Sequence, residues 1–157
     1  AKEVDPLSVA LEGAPATGAC CVNMGNPHAV FFVDDVDAVP LAEIGPALEH
    51  HPMFPELANI EFVTIRSRTE LRMRVWERAA GITPACGSGA CAALVAAHRR
   101  GKCGRRARLT LDGGALVIEW RAEDGHVLMS GPVATSYAGV LDESLLAARQ
   151  DPRRSVA

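Results

Sequence analysis

Lysine is almost missing from this chain: of 157 residues, only Lys2 and Lys102 are lysines. One stands near the start and the other in a basic loop. Neither is placed to form a Schiff base, which argues against pyridoxal phosphate chemistry. The five cysteines, Cys20, Cys21, Cys86, Cys91 and Cys103, form no CxxC pair and no zinc-ligand spacing. An odd number without such spacing points to a reducing cytoplasm and at least one thiol free for chemistry. No apolar run approaches the roughly 18 residues of a membrane span. Residues 1–20 lack the charged-then-apolar order of a secretion signal. The net charge of −3 gives no attraction for nucleic acid or an anionic membrane. What remains, 48% hydrophobic and 22% charged residues without an internal repeat, is one globular domain, 1–157, long enough for a core.

The most informative stretch is Thr83-Pro84-Ala85-Cys86-Gly87-Ser88-Gly89-Ala90-Cys91, which runs into Ala92-Ala93-Leu94-Val95-Ala96-Ala97. Gly87 and Gly89 allow backbone to approach a ligand, and Ser88 suits a helix N-cap. The first N–H groups of such a helix have no internal partner and carry the positive end of its dipole. That end attracts an anion and lowers the pKa of a nearby thiol toward thiolate. The competing reading is a helix cap beside a buried cysteine. From Ala90 to Ala97 the helix has no polar face, so it is expected to be buried all round, wrapped by sheet.

Elsewhere the chain alternates strands and turns. Gly25-Asn26-Pro27-His28 interrupts a strand-like run, because proline removes a ladder donor, and holds Asn26 and His28 at a strand end. Asp34-Asp35-Val36-Asp37 reads as a solvated acidic loop, a poor calcium site. Leu41 to Glu49 has helical spacing, weakened by Gly45-Pro46 and ended by His50-His51-Pro52. Asn59 opens a strand running to Ile65. Residues 69–76 alternate with period two and deliver Glu77-Arg78 at their end, as a surface ion pair or as part of a site. The basic run Arg99, Arg100, Lys102, Arg105, Arg106 and Arg108 has no interleaved aromatics. It fits a solvated helix end better than an RNA surface. Strands follow at 107–111, 115–121 and 126–130, the last two a hairpin through Glu123-Asp124-Gly125, with a further short strand near Ser136 to Val140.

In this order Met24-Gly25-Asn26-Pro27-His28, Phe54-Pro55 through Asn59, Trp76-Glu77-Arg78 and Ala85-Cys86-Gly87-Ser88-Gly89-Ala90-Cys91 resemble the motifs of the diaminopimelate epimerase family. The resemblance is to the C-terminal half and covers roughly residues 18–140. It implies an α+β fold, with an antiparallel or mixed sheet around a central buried helix. It also implies a cofactor-independent, two-base epimerisation of LL- and meso-diaminopimelate, a step of lysine and cell-wall precursor synthesis.

By that resemblance Cys86 is one of two acid/base thiols, and Gly87 and Ser88 bind the α-carboxylate through backbone N–H groups. Asn26, Asn59 and Arg78 hold the distal carboxylate, Glu77 contacts the distal ammonium and assists the thiol, and His28 is the other acid/base helper. No cofactor and no metal is implied. The second catalytic cysteine belongs to a Cys-Gly-Asn-Gly stretch in an N-terminal half, and nothing like it occurs here. Ala79 replaces the glycine usual after Glu-Arg. The chain is therefore expected to be half of the catalyst, inactive alone, with the N-terminal half as partner and a homodimer as a further arrangement. A proline racemase-like isomerase, a cysteine-nucleophile hydrolase using Cys86 with His28, and a domain that only binds are the alternatives.

Overall fold

The protein is described by a computed structural model that covers residues 2–4 and 18–147. Most of the segment 1–18, and the polar tail beyond 147, lie outside the described residues. Nine strands form one curled, mixed sheet among those residues. The elements begin with β1 (Lys2–Val4), β2 (Ala19–Asn23), β3 (Pro27–Phe32), α1 (Leu41–Glu49) and β4 (Asn59–Ile65). They continue with β5 (Glu70–Glu77), β6 (Gly81–Ile82), α2 (Gly87–Arg99), β7 (Arg106–Leu111), β8 (Gly114–Trp120) and β9 (Val127–Ser130), followed by a short α3 (Glu143–Ala147). The spatial order is β1-β2-β3-β4-β5-β7-β8-β9, with β6 paired to β5.

Two of the pairings are parallel, β3 with β4 and β5 with β7, and each is bridged by a helix. Parallel neighbours need a crossover long enough to hold such a helix. The two crossovers fall on opposite faces. Helix α1 packs on Phe31, Ile60 and Phe62, whereas α2 packs on Val30, Val63, Met73 and Leu109. Alternation along each strand produces the separation: Ile60 and Phe62 point to one side of β4, Asn59, Glu61 and Val63 to the other.

Helix α2 touches β2, β3, β4, β5, β7, β8 and β9. Gly89 through Ala97 are all buried, as an apolar stretch without a wet face requires. Its alanines let the strands approach closely on several sides. Its cap differs from the expectation: Cys86, not Ser88, is the N-cap, with extended backbone and its sulfur accepting from the Gly89 N–H. Extended geometry at Cys86 places its sulfur over the third helical N–H, leaving Ser88 inside the first turn.

Helix α1 continues through Gly45-Pro46. The glycine serves a close approach, since a Cβ there would lie 2.5 Å from the Trp76 indole. Asp37 of the acidic loop pairs with Arg72 at 2.9 Å, and Arg72 also meets Asp112. Arg99 and Arg105 of the basic run lie over Trp120, with guanidinium carbons 5.5 and 4.6 Å from the ring centre, and His98 meets its edge. That part of the run packs on an aromatic platform. Residues 136–140 form no strand and are exposed, because no neighbouring backbone among the described residues offers them a ladder. No helix among the described residues is long and apolar enough to cross a membrane.

Candidate active site

The site forms where four chain segments end together. Register brings His28 of β3 opposite Asn59 of β4, and Ile60 opposite Trp76 of β5. The start of β3, the start of β4 and the end of β5 therefore meet. The N-terminus of α2 covers them from the inner side, carrying Cys86, Gly87 and Ser88.

A line of hydrogen bonds joins these residues. His28 Nδ1 lies 2.6 Å from Glu61 Oε1, and Nε2 lies 3.0 Å from Asn26 Oδ1. Asn26 Nδ2 donates to Ser88 Oγ at 3.4 Å, and Ser88 Oγ stands 3.6 Å from Cys86 Sγ. His28 is 1% exposed and Cys86 6%. Glu77 is half-buried at the end of β5, where Thr83 Oγ1 donates to its carboxylate.

Burial pushes the Cys86 thiol up to about 11, and the charge of Glu61 and a hydrogen bond to Glu77 add to the rise. Donation from Ser88 and from the Gly89 N–H works the other way and is outweighed. This corrects the expectation that the helix end alone would favour thiolate. The dipole effect is about 1 kcal/mol, whereas removing a thiolate from water costs more than that end returns.

Asn59 is buried and largely committed. Its Nδ2 donates to the Pro27 carbonyl at 2.9 Å, and its Oδ1 accepts from the Arg78 N–H at 3.0 Å. It thereby ties the Asn-Pro turn to the Glu77–Arg78 turn, with one amide hydrogen left for a ligand. Arg78 is exposed, its Nη1 donating to the Glu56 carbonyl at 3.0 Å.

The same turn is held from the other face by Glu49, at the end of α1. Its Oε2 accepts from Trp76 Nε1 at 2.6 Å and its Oε1 from the Ala79 N–H at 2.7 Å. Ala79 sits at φ 61°, a left-handed conformation that costs a non-glycine residue roughly 1–2 kcal/mol. Burial raises the Glu49 carboxyl, but the bonds from Trp76 and Ala79 bring it below its ordinary value. A carboxyl lowered in the folded state stabilises above its unfolded pKa, and that contribution disappears as pH falls through the folded pKa. Glu49→Gln keeps one acceptor for two donors, so its amide N–H faces either Trp76 Nε1 or the Ala79 N–H. It is expected to cost about 1–2 kcal/mol at neutral pH and to flatten the acid limb of stability, both read by denaturant titration at several pH values.

Two residues escaped the sequence reading. Glu49 carries no signal beyond closing a helix. Glu61 carries a weak one: it shares a strand face with Asn59, flanked by Ile60 and Phe62, and a lone carboxylate at an inward position of a buried strand is unusual.

The family model described as diaminopimelate epimerase matches residues 20–135. The diaminopimelate epimerase of Rhodospirillum centenum is 61% identical over 142 residues, 90% of this chain and 48% of that protein. That of Acidiphilium cryptum is 54% identical over 147 residues, 94% of this chain and 53% of that protein. The chain thus spans about half the length of these curated relatives. Among solved structures, the Bacillus anthracis phenazine biosynthesis protein of the PhzF family aligns with a TM-score of 0.50 and 23% identity. The match covers 68% of this chain and 34% of that one, and is a likeness of fold alone.

Proposed function

The chain belongs to the diaminopimelate epimerase family, and on that footing we propose that it supplies one wall of a cofactor-independent, two-base epimerase site. The observation that carries this reading is the hydrogen-bonded line from His28 through Asn26 and Ser88 to Cys86, at the start of a buried helix. Removing an α-proton next to a carboxylate needs fixed dipoles where negative charge grows. The N–H groups of Gly87 and Ser88 have no partner inside the helix and suit the α-carboxylate.

Cys86 rests as a thiol at neutral pH. It is the proton donor in one direction, giving its S–H hydrogen to the α-carbon and keeping the electron pair as thiolate. In the other direction the thiolate takes that proton back. Glu77, close to the thiol, and the substrate's distal ammonium compensate for each other. Arg78, Asn26 and the remaining amide hydrogen of Asn59 hold the distal carboxylate. Both ring nitrogens of His28 are engaged by Glu61 and Asn26, which disfavours a Cys86–His28 nucleophile and base pair.

The opposite wall, with the second thiol, belongs to an N-terminal half, a reading supported by the chain's spanning about half the length of its relatives. Exposed Tyr137, Val140, Leu141 and Leu145 beyond β9 offer an apolar strip for it. The chain alone is expected to exchange no α-hydrogen of diaminopimelate with deuterated water at an enzymatic rate. Exchange is expected once the N-terminal half of a relative is added. Rapid exchange by the chain alone defeats the half-site reading, and none in the mixture, with association shown by light scattering, defeats the epimerase reading.

A further inference from the structure

Glu61 has no part in the reading above, yet it is the most enclosed ionisable group described. Its side chain is fully buried, with Oε1 on His28 Nδ1 and Oε2 without a hydrogen-bond partner among the described residues. A buried carboxylate with one unanswered oxygen is costly as an anion. Burial raises its acid above the ordinary range, His28 opposes that rise, and the charge of Glu77 adds to it.

Proton positions follow from the partners. Asn26 presents its carbonyl Oδ1 to His28 Nε2 and uses Nδ2 on Ser88. An amide oxygen only accepts, so Nε2 carries hydrogen. One further proton then lies between Nδ1 and Oε1. On nitrogen it makes an imidazolium and a carboxylate, on oxygen a neutral ring and a carboxylic acid. The pair is neutral either way.

Position also ties Glu61 to the thiol. A Cβ on Gly89 would stand 2.7 Å from Glu61 Oε1 and 3.2 Å from Cys86 Sγ, so carboxyl and sulfur flank the same helix turn. The ionisable groups around Glu61 are His28 from β3, Glu77 from β5 and Cys86 at the start of α2, with Cys21 of β2 on the opposite face of the sheet.

We propose that Glu61 is a positioning residue of the acid/base machinery. By sharing one proton with Nδ1 it holds His28 with hydrogen on Nε2 and aligns the Asn26–Ser88 contacts that end on the Cys86 sulfur; without that proton it opposes negative charge there. The role rests on Cys86 and His28 being the acid/base groups of the proposed function, but its test uses no substrate. When the pair releases its shared proton, a negative charge remains beside Cys86 and disfavours the thiolate.

The test is nitrogen-15 NMR of the histidine rings in the full chain, with Cys86 alkylation followed against pH by peptide mass mapping. In the wild type, His28 is expected to show a protonated Nε2 and a far-downfield shared proton at Nδ1, which Glu61→Gln abolishes. Glu61→Gln is also expected to lower the Cys86 alkylation midpoint by about one pH unit, roughly tenfold faster at a fixed pH below it. Cys103, a buried thiol on the far part of α2's packing surface, should keep its profile, whereas general loosening would move both. An unprotonated Nε2 in the wild type overturns the proposal, as does an unchanged Cys86 profile in folded Glu61→Gln. If that variant fails to fold, the wild-type ring spectrum decides. Failure of diaminopimelate exchange in the completed enzyme, with these results intact, removes the epimerase reading and leaves the coupling of Glu61 to His28 and the Cys86 thiol without an assigned reaction.

Discussion

Cys86→Ala, in an enzyme completed by the family's N-terminal half, is expected to lose α-hydrogen exchange of diaminopimelate by about 10³-fold. That is the middle of the range for removing one general acid or base. The loss follows from what the position offers. Cys86 is enclosed, its sulfur accepts from the Gly89 N–H, and its neighbours Ser88 and Glu77 bear on its proton in opposite senses. With a pKa pushed to about 11, roughly one molecule in ten thousand is thiolate at pH 7. The open chain therefore stores the proton on sulfur. Alanine has no proton to store and none to accept, and no other described cysteine stands at this helix start. The distal clamp proposed for Asn26, Asn59 and Arg78 is untouched, so calorimetric binding should change by only a few-fold. Exchange within tenfold of the parent enzyme would remove Cys86 from the reaction.

Gly89→Ala is expected to destabilise the chain by about 3 kcal/mol, against the direction of helix propensity. Alanine in a helix interior normally gains about 1 kcal/mol over glycine. Here its methyl would lie 2.7 Å from Glu61 Oε1 and 3.3 Å from Glu61 Cγ. Overpacking a core costs roughly 1–3 kcal/mol. Moving the carboxyl group also breaks its 2.6 Å contact with His28, a loss of about 1.5–3 kcal/mol for a charge-assisted bond. Glu61 is fully enclosed and cannot swing into water. Gly87→Ala gives the contrast: its methyl would meet only the end of the exposed Met129 side chain at 3.0 Å. That end can move, so the change should stay within about 0.5 kcal/mol of neutral. Urea titrations of the two variants check the pair, and a Gly89→Ala chain as stable as the parent refutes the packing argument.

Much of the local structure was legible in single residues. Proline at position 27 stops the run that follows Cys20 and opens β3 at its first residue, where its missing N–H is harmless. Leu71, Met73 and Val75 alternate because their strand is covered on that face by α2. Gly45-Pro46 misled in the other direction. Read locally it weakens a helix, but Pro46 lies inside α1 and Gly45 admits the Trp76 ring. A strand at 136–140 was expected from composition and is absent, because a strand exists only when a second backbone answers it.

By itself the sequence determined the course of most strands and of the two longer helices, that one helix is apolar on every side, and which polar residues stand at strand ends. Those features depend on neighbours three or four positions away, and so does the stretch around Cys86. Tertiary structure alone decided three things. The sheet is mixed, since two helical crossovers bring β3 beside β4 and β5 beside β7 in parallel. Cys86 holds its proton, because enclosure by residues distant in sequence outweighs the local pull of the helix end. Glu61 became part of the site, because strand register and a missing side chain at Gly89 set it between His28 and the thiol. Desolvation and register are sums over contacts far apart along the chain, and no window of sequence contains them.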